Sequence, residues 1–231
     1  MESLLTIKRL AYLNLPGVFI YSLMLKHYFP SLKDDQLDRF AHLAALYREW
    51  NEKINVISRK DIDNLEVHHI LHSLSIARIF SFKPGTRIMD AGTGGGLPGL
   101  PLSIFFPEVE FTLVDSIEKK IRVVDQIRLE LGLTNVKSVR MRFEEMKGEF
   151  DFITGRAVTQ LPDLFRMLKN KISAHSVHSF PNGMIYLKGG DIRADLSGLV
   201  QAYKIYPLSD YFSEDFFQTK KLVHLYELSH H

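Results

Sequence analysis

The stretch Asp90-Ala91-Gly92-Thr93-Gly94-Gly95-Gly96-Leu97-Pro98-Gly99 decides the fold of this 231-residue chain. Five of the eight residues in 92–99 are glycine, and the run lies between a predicted strand over 87–91 and a predicted helix that begins near Leu97. Glycine adopts positive φ and lets the backbone approach a ligand closely. A helix N-terminus adds free N–H groups and a positive dipole end. The stretch therefore predicts a ligand-binding loop.

The kind of ligand follows from the acid in front of this glycine loop. The glycines at 94, 96 and 99 formally match the dinucleotide pattern, but such a match alone is weak. Asp90 ends the strand, where it repels a pyrophosphate and attracts an ammonium group. A ligand with an amino-acid end and a nucleoside end fits better, and S-adenosylmethionine is such a ligand. A triphosphate is disfavoured because the Lys-Ser/Thr of a P-loop is missing. A glycine-rich turn without any ligand is the structural alternative.

Two further predicted strands end in residues that suit a nucleoside. Asp115 ends the second strand, 23 residues after Gly92, where an acid accepts hydrogen bonds from ribose hydroxyls in nucleotide-binding α/β folds. A helix cap is the other reading of Asp115. Phe143 and Glu144 follow the third strand, where a stacking side chain and an acceptor for the adenine amine would lie. Core packing and a solvated helix start are their structural alternatives.

The remaining periodicity predicts an α/β fold with a mostly parallel, seven-stranded sheet. Strands and helices alternate after Lys83-Pro84-Gly85, which is typical of a parallel sheet covered on both faces. The last two strands lack a helix between them, which favours a C-terminal antiparallel hairpin. The predicted strands lie at 87–91, 111–115, 136–141, 150–154, 184–188, 202–207 and 221–227; the predicted helices lie at 34–57, 61–80, 117–132 and 160–171. We therefore predict a helical cap over 24–82 and a main domain over 83–231, after an N-terminal extension of uncertain status over 1–23.

Composition excludes several classes of protein. The chain has 29 Lys and Arg, 27 Asp and Glu, ten His and no Cys, which excludes a disulfide scaffold, a thiolate nucleophile and a Cys-based zinc site. An apolar run over 10–25 follows two basic residues, but Pro16 and Gly17 interrupt it, no cleavage site follows, and it is shorter than the roughly 20 residues that span a bilayer. We expect a cytoplasmic protein without a membrane partner, and a monomer; Met24 is a second possible start.

Four stretches of the sequence resemble a known family. The string from Gly92 to Leu102, the upstream Trp50-Asn51…Asn55 and His69-Ile70-Leu71, and Gly155-Arg156-Ala157 look like the small-subunit rRNA guanine-N7 methyltransferase G family, also called glucose-inhibited division protein B. The resemblance covers roughly residues 24–230. It implies a Rossmann-like methyltransferase fold with an N-terminal helical cap, S-adenosylmethionine as the methyl donor, and a guanine of 16S rRNA or of the small ribosomal subunit as the substrate.

The resemblance also implies cofactor contacts, which add to Asp90 and Gly94 from the loop argument. Carried over residue by residue, these contacts fall on Gly92, Leu97, Asp115, Ser116, Ile117, Phe143, Glu144 and Arg156. The chain departs from the family where Arg-His-Ile-x-Asp-Ser reads His68-His69-Ile70-Leu71-His72-Ser73, and where the Ser before Arg156 is Gly155. These departures concern what the cap contributes to the site.

Guanine N7 methylation explains why no acid/base pair stands out. N7 carries an in-plane lone pair and no proton, so no general base is needed, and the sequence lacks the Asn/Asp-Pro-Pro-Tyr signature of exocyclic amine methylation. We expect catalysis by positioning, with Arg156 holding the cofactor carboxylate, an rRNA phosphate or guanine O6. A salt bridge from Arg156 to Asp151 or Asp163 is the structural alternative. An NAD-type oxidoreductase and a non-catalytic ribosome-assembly factor are the alternative functions.

Basic residues on two predicted surfaces are candidates for rRNA phosphate contacts. The candidates are Arg48, Lys53, Arg59, Lys119, Lys120, Arg122 and Lys188, and a solvated helix face is their alternative role. His68 and His72 stand four residues apart, which is a possible metal-ligand spacing. Because no Glu-x-x-His motif accompanies them and methyl transfer needs no metal, we predict no metal site.

Overall fold

Seven strands form one sheet in the part of the chain that the structure, a computed structural model, describes: residues 16–158, 160–197, 199 and 201–227. The strands are β1 (Arg87–Ala91), β2 (Glu110–Asp115), β3 (Val136–Arg140), β4 (Phe152–Arg156), β5 (Gly183–Gly189), β6 (Ala202–Pro207) and β7 (Lys220–Tyr226). Their spatial order is β3-β2-β1-β4-β5-β7-β6. The first five are parallel, and β7 runs antiparallel to both β5 and β6. The predicted mostly parallel sheet with a C-terminal antiparallel pair is confirmed.

The central strands are apolar because both of their faces are covered. Ile88 and Phe152 pack on one face with the helices that precede the sheet in the chain, whereas Met89 and Ile153 pack on the other face with residues 161–168. Side chains that alternate between two buried faces produce near-continuous hydrophobic runs. The strand order reverses between β1 and β4. The chain therefore leaves these two neighbours toward opposite sides of the sheet, and in this class of sheet ligands bind in the crevice at the carboxyl ends of such strands.

Eight helical segments surround the sheet in the described residues, apart from short 3₁₀ turns. They are α1 (Pro16–Tyr28), α2 (Asp34–Lys53), a π-helix (Leu65–Leu71) that continues into α3 (His72–Ile79), α4 (Gly99–Phe105), α5 (Glu118–Glu130), α6 (Leu161–Leu168) and α7 (Arg193–Ser197). None of them is long and apolar enough to cross a membrane. The predicted helix near Leu97 begins two residues later, with Pro98 at the N-cap position.

The single helix predicted over 61–80 is wrong in detail. The segment begins with a 3₁₀ turn (Ile62–Asn64), widens into the π-helix and becomes regular only at His72. Leu65 and Ile70 are both fully buried although they stand five residues apart, a spacing that a π turn accommodates and a regular α-helix does not. His68 and His69 of this π-helix contact Arg156 at the end of β4.

The front helices share one hydrophobic core with the sheet. Leu25 of α1 and Phe40 of α2 are fully buried in the same cluster as Phe111 and Phe152. The Tyr28 hydroxyl donates to Glu214 Oε2 at 2.8 Å, which ties α1 to the segment before β7. The predicted boundary between residues 23 and 24 falls inside α1, while residues 1–15 of the predicted extension lie outside the described residues. The proposed division into cap and main domain stays a prediction.

A glycine at the start of β5 tests the sheet register. A methyl group on Gly183 would overlap the backbone oxygen of Leu225, so we expect Gly183→Ala to lower the free energy of unfolding by about 2 kcal/mol or more. Gly189, in the same strand, would meet only the flexible end of Lys220 at 3.0 Å, and Gly189→Ala should cost less than about 1 kcal/mol. Denaturant unfolding of both variants measures the difference; equal losses would contradict the register.

Candidate functional site

The glycine loop leaves the end of β1 and leads into α4. Gly94 has a φ of +59°, and apart from its two chain neighbours no atom of the described residues lies within 4 Å of the position that a Cβ would take. Open space therefore lies directly over the Gly94 backbone, which is half-buried. Gly99 needs the opposite property, since a Cβ there would lie 2.8 Å from Leu113 and 2.9 Å from the Asp90 carboxylate. The loop thus combines an open backbone at one glycine with close packing at another.

Asp90 is the internal anchor of the glycine loop. Its side chain is fully buried. Its Oδ2 accepts hydrogen bonds from Thr93 Oγ1 at 2.5 Å and from the Gly99 N–H at 3.0 Å, and its Oδ1 accepts one from Thr154 Oγ1 at 3.1 Å. Burial raises the pKa of Asp90 to about 6, although the bonds from Thr93 and Gly99 oppose the rise. The ammonium contact predicted for Asp90 stays untested; in this structure the carboxylate holds the loop.

Asp115 holds the same loop from the neighbouring strand. The side chain is 7% exposed, and its Oδ2 accepts a hydrogen bond from the Gly94 N–H at 2.9 Å while its Oδ1 accepts one from the Ile117 N–H at 2.9 Å. The helix that follows begins at Glu118 with Ile117 as its N-cap residue, so Asp115 is not the cap. The carboxylate lies beside the open space over Gly94, which is where the predicted ribose role requires it.

The cap supports the glycine loop through contacts that the sequence analysis missed. Tyr47 of α2 is fully buried, and its hydroxyl donates to the Gly95 carbonyl at 2.9 Å. Val56 fills the space beside Gly95, where a Cβ would come within 2.8 Å of it. Asn51 Oδ1 fixes this part of the chain by accepting hydrogen bonds from Val56 and Ile57 N–H, both at 2.9 Å. The sequence offers no signal for this role of Tyr47 beyond its hydroxyl, which a buried helix face leaves in need of an acceptor.

The other predicted cofactor residues gather at the same edge because β1, β2 and β3 are neighbours in the sheet. Gly92 is half-buried and packs against Val158, whose Cγ2 lies 3.0 Å from the position of a Cβ on Gly92. Phe143 is half-buried and packs against the core that Met89 and Ile153 form with residues 161–168. Leu97 is buried, whereas Ser116, Ile117 and Glu144 are exposed. The geometry brings the predicted set to one edge, and the cofactor contacts themselves stay predictions.

Arg156 ends β4 and connects this edge to the cap. Its Nη2 donates to His69 Nδ1 at 3.2 Å and its Nη1 to the His68 carbonyl at 3.4 Å. The alternative salt bridges are not formed, because Asp151 accepts a hydrogen bond from the Arg87 N–H at 2.7 Å and Asp163 pairs with Arg166 at 3.0 Å. Arg156 is half-buried, and its two hydrogen bonds to His68 and His69 hold the guanidinium against the cap.

The contact with Arg156 also defines the protonation of His69. Because a guanidinium only donates, His69 Nδ1 accepts, and Nε2 carries the proton that it donates to Asp61 Oδ2 at 2.7 Å. Burial and the nearby Arg156 lower the pKa of His69 to about 4, so the ring is neutral at pH 7. A neutral imidazole therefore bridges the Asp61 carboxylate and the Arg156 guanidinium, and it fixes the orientation of the guanidinium.

A cleft of about 380 Å³ opens next to Arg156. The carboxyl ends of β4 and β5 form one wall, and the cap and the segment before β7 form the other. Its lining includes Arg156, Lys188, His68, His72, Phe216 and Lys220. Among the described residues, no group of three His, Asp or Glu side chains is placed to hold a metal ion.

Several RNA-binding candidates already have acidic partners on the surface. Arg48 makes a two-pronged contact with Glu66 at 2.7 and 2.9 Å, Lys53 pairs with Glu49 at 2.9 Å, and Lys188 pairs with Asp195 at 3.1 Å. Arg122 lies 3.5 Å from Glu118, and Arg59 donates to Asn55 at 3.1 Å. Lys119 is exposed and Lys120 half-buried. The exposed pairs are weak, so they leave Arg48, Lys53 and Arg122 available for phosphates, whereas Lys188 is engaged by the buried Asp195.

Comparison with known proteins gives consistent matches. A family model described as rRNA small subunit methyltransferase G matches residues 36–211. A Christiangramia forsetii protein named ribosomal RNA small subunit methyltransferase G is 56% identical over 202 residues, which cover 87% of this chain and 95% of the relative. A protein of the same name from Bacteroides thetaiotaomicron is 51% identical over 197 residues, covering 85% and 96%.

A solved structure shows the same fold. The crystal structure of a SAM-dependent methyltransferase from Aquifex aeolicus matches 73% of this chain and 98% of its own length, with a TM-score of 0.52 and 14% sequence identity. At this identity the likeness supports the Rossmann-like methyltransferase fold and nothing finer.

The raised pKa of Asp90 predicts a pH dependence of stability. Between about pH 4 and pH 6 the folded chain retains a proton that the unfolded chain has released, so the carboxylate lowers the free energy of unfolding as the pH rises through this window. Asp90→Asn removes the titration, and the stability of wild type relative to this variant should fall by about 1–3 kcal/mol from pH 4 to pH 7. Urea unfolding at several pH values measures it; parallel profiles would contradict the buried-carboxylate assignment.

Proposed function

The chain belongs to the rRNA small subunit methyltransferase G family, and we propose that it transfers a methyl group from S-adenosylmethionine to N7 of a guanine in 16S rRNA of the small ribosomal subunit. The observation that carries the proposal is the glycine loop at the crevice between β1 and β4, open over Gly94 and flanked by Asp115. An rRNA substrate agrees with the predicted cytoplasmic location; the monomeric state stays a prediction.

The residues at this edge fit S-adenosylmethionine. A side chain at Gly94 would fill the space beside Asp115, and the Asp115 carboxylate suits the two ribose hydroxyls. Phe143 and Glu144 follow β3, the strand next to β2, and offer a stacking surface and an acceptor for the adenine. The sulfonium of the bound cofactor supplies an electrophilic methyl group. The protein then has only to position the guanine so that N7 faces this methyl group.

Placement suffices because N7 reacts through a lone pair and carries no proton. The purine ring gains positive charge as the bond forms, so a cation facing N7 or the adjacent O6 would oppose the reaction. Arg156 is therefore better suited to an anion: the cofactor carboxylate or an RNA phosphate. His69 and Asp61 hold the guanidinium in one orientation, so that it acts as a positioning residue for whichever anion it binds.

Transfer to RNA tests the proposal directly. Purified protein is incubated with labelled S-adenosylmethionine and small subunits whose 16S rRNA lacks the modification, and the RNA is then cleaved at N7-methylguanine. We expect label at one guanine and strand cleavage there. Label at another base or atom would overturn the N7 assignment. Binding of S-adenosylhomocysteine with no transfer to any RNA would favour the assembly factor, and binding of NAD alone would favour the oxidoreductase.

Asp115 allows a test of the cofactor site that does not depend on RNA. Asp115→Ala removes the predicted ribose contacts and the acceptor for the Gly94 N–H, so S-adenosylhomocysteine should bind more weakly by about 1–3 kcal/mol. Asp163→Ala, which removes a half-exposed carboxylate paired with Arg166 on α6, is the matched control and should bind as wild type does. Calorimetry measures both; unchanged affinity in Asp115→Ala would refute the ribose role.

A further inference from the structure

The cleft beside Arg156 adjoins the proposed cofactor site. It begins at the carboxyl end of β4, and β4 pairs directly with β1, with Asp90 opposite Thr154. Val158, two residues beyond Arg156, packs on Gly92 of the glycine loop. A base held in this cleft would therefore lie next to the loop, where the methyl group is expected. This location makes the cleft the candidate binding site for the substrate base.

His72 lines the cleft and carries an unpartnered buried polar atom. The side chain is 5% exposed, and its Nε2 has no hydrogen-bond partner among the described residues. The backbone of His68 acts to raise the pKa of the ring; since Nε2 has no partner in the described chain, we place the ring proton on Nδ1, on the side of this carbonyl. The lone pair is therefore on Nε2. A buried acceptor without a donor costs free energy, so a ligand that supplies a donor gains from the contact.

The charges around His72 keep its ring neutral. Burial lowers its pKa well below the ordinary value of 6.5, and Arg156, Lys220 and His69 add to the effect. Protonation would place a further cation beside two fixed ones, and a neutral ring retains the acceptor on Nε2. The neutral His72 ring therefore shares the cleft with two cations, Arg156 and Lys220, and with the Asp61 carboxylate, whose two oxygens are already bonded to His68 and His69.

The mouth of the cleft has the character of a nucleotide site. His68 stacks on Phe216 with their ring centroids 4.0 Å apart and an angle of 15° between the planes, and Lys220 Nζ lies 4.4 Å from the Phe216 centroid. Lys220 forms no ion pair in the described part of the chain, whereas Lys188 pairs with Asp195. Aromatic rings and an unpaired lysine suit a flipped base and its phosphate.

Among the purines, guanine supplies the donors that the buried acceptor lacks. Its N1–H and 2-amino group lie on the Watson–Crick edge, across the ring system from N7. Adenine has an acceptor at N1 and no 2-amino group, and its one donor on this edge, the 6-amino group, stands at the position of guanine O6. We infer that the Nε2 atom of His72 accepts a hydrogen bond from the Watson–Crick edge of the substrate guanine and selects guanine over adenine. The inference rests on the proposed function and adds a specificity residue to it.

The test compares guanine with adenine at the methylated position in wild type, His72→Leu and His72→Gln. His72→Leu removes the acceptor, so kcat/KM on guanine should fall about tenfold or more, whereas kcat/KM on adenine should not fall. His72→Gln retains an acceptor and should keep the guanine preference within a few-fold. The lower intrinsic reactivity of adenine N7 is the same for all three proteins and cancels. An inosine substrate, which lacks only the 2-amino group, identifies the donor.

Binding of S-adenosylhomocysteine serves as the folding control for each variant. An unchanged guanine-to-adenine ratio in a His72→Leu protein that binds it would overturn the inference. If His72→Leu does not bind S-adenosylhomocysteine, wild type and His72→Gln decide. The inference is overturned if a folded His72→Gln loses the preference for guanine. It is also overturned if wild type has equal kcat/KM on guanine, inosine and adenine. Failure of the proposed function is distinct, since wild type would then methylate no guanine.

Discussion

The buried carboxylate of Asp90 is the interaction on which the site depends. One side chain connects three elements: Thr93 in the glycine loop, the first N–H of α4 at Gly99, and Thr154 in β4. Burying a carboxylate is unfavourable unless its oxygens are hydrogen-bonded, and three donors satisfy this one. The loop is thereby held with its backbone open at Gly94, beside Asp115. The raised pKa of Asp90 reflects the remaining cost of burial.

The cap is part of the site because it contacts both sides of the crevice, at Gly95 of the glycine loop and at Arg156. Tyr47 supports the loop from one side through the Gly95 carbonyl. The Asp61–His69–Arg156 chain holds the end of β4 from the other side. Because Asp61, His68 and His69 lie around an irregular π-helix, small changes in this segment would shift Arg156. The departures from the family pattern at His68 and His72 lie in this segment, next to Arg156.

The sequence predicted those features that local patterns encode. The glycine loop, the parallel strands and the position of Asp115 at a strand end follow from composition and alternation over a few residues. The burial of Asp90 beneath the loop could not be predicted, because it depends on Thr154 in a strand 64 residues later. The contact of Arg156 with His69 joins residues 87 positions apart. The π-helix was missed because a helical periodicity of 3.6 residues cannot represent a turn that inserts one extra residue.

A crystal structure of the protein with S-adenosylhomocysteine tests the central claim most directly. The account predicts the nucleoside over Gly94 with its ribose hydroxyls on Asp115, and the Asp90 carboxylate still bonded to the Gly99 N–H and to Thr93. It would be contradicted by a ligand bound away from the loop, or by a loop in which Thr93 and the Gly99 N–H have lost their hydrogen bonds to Asp90.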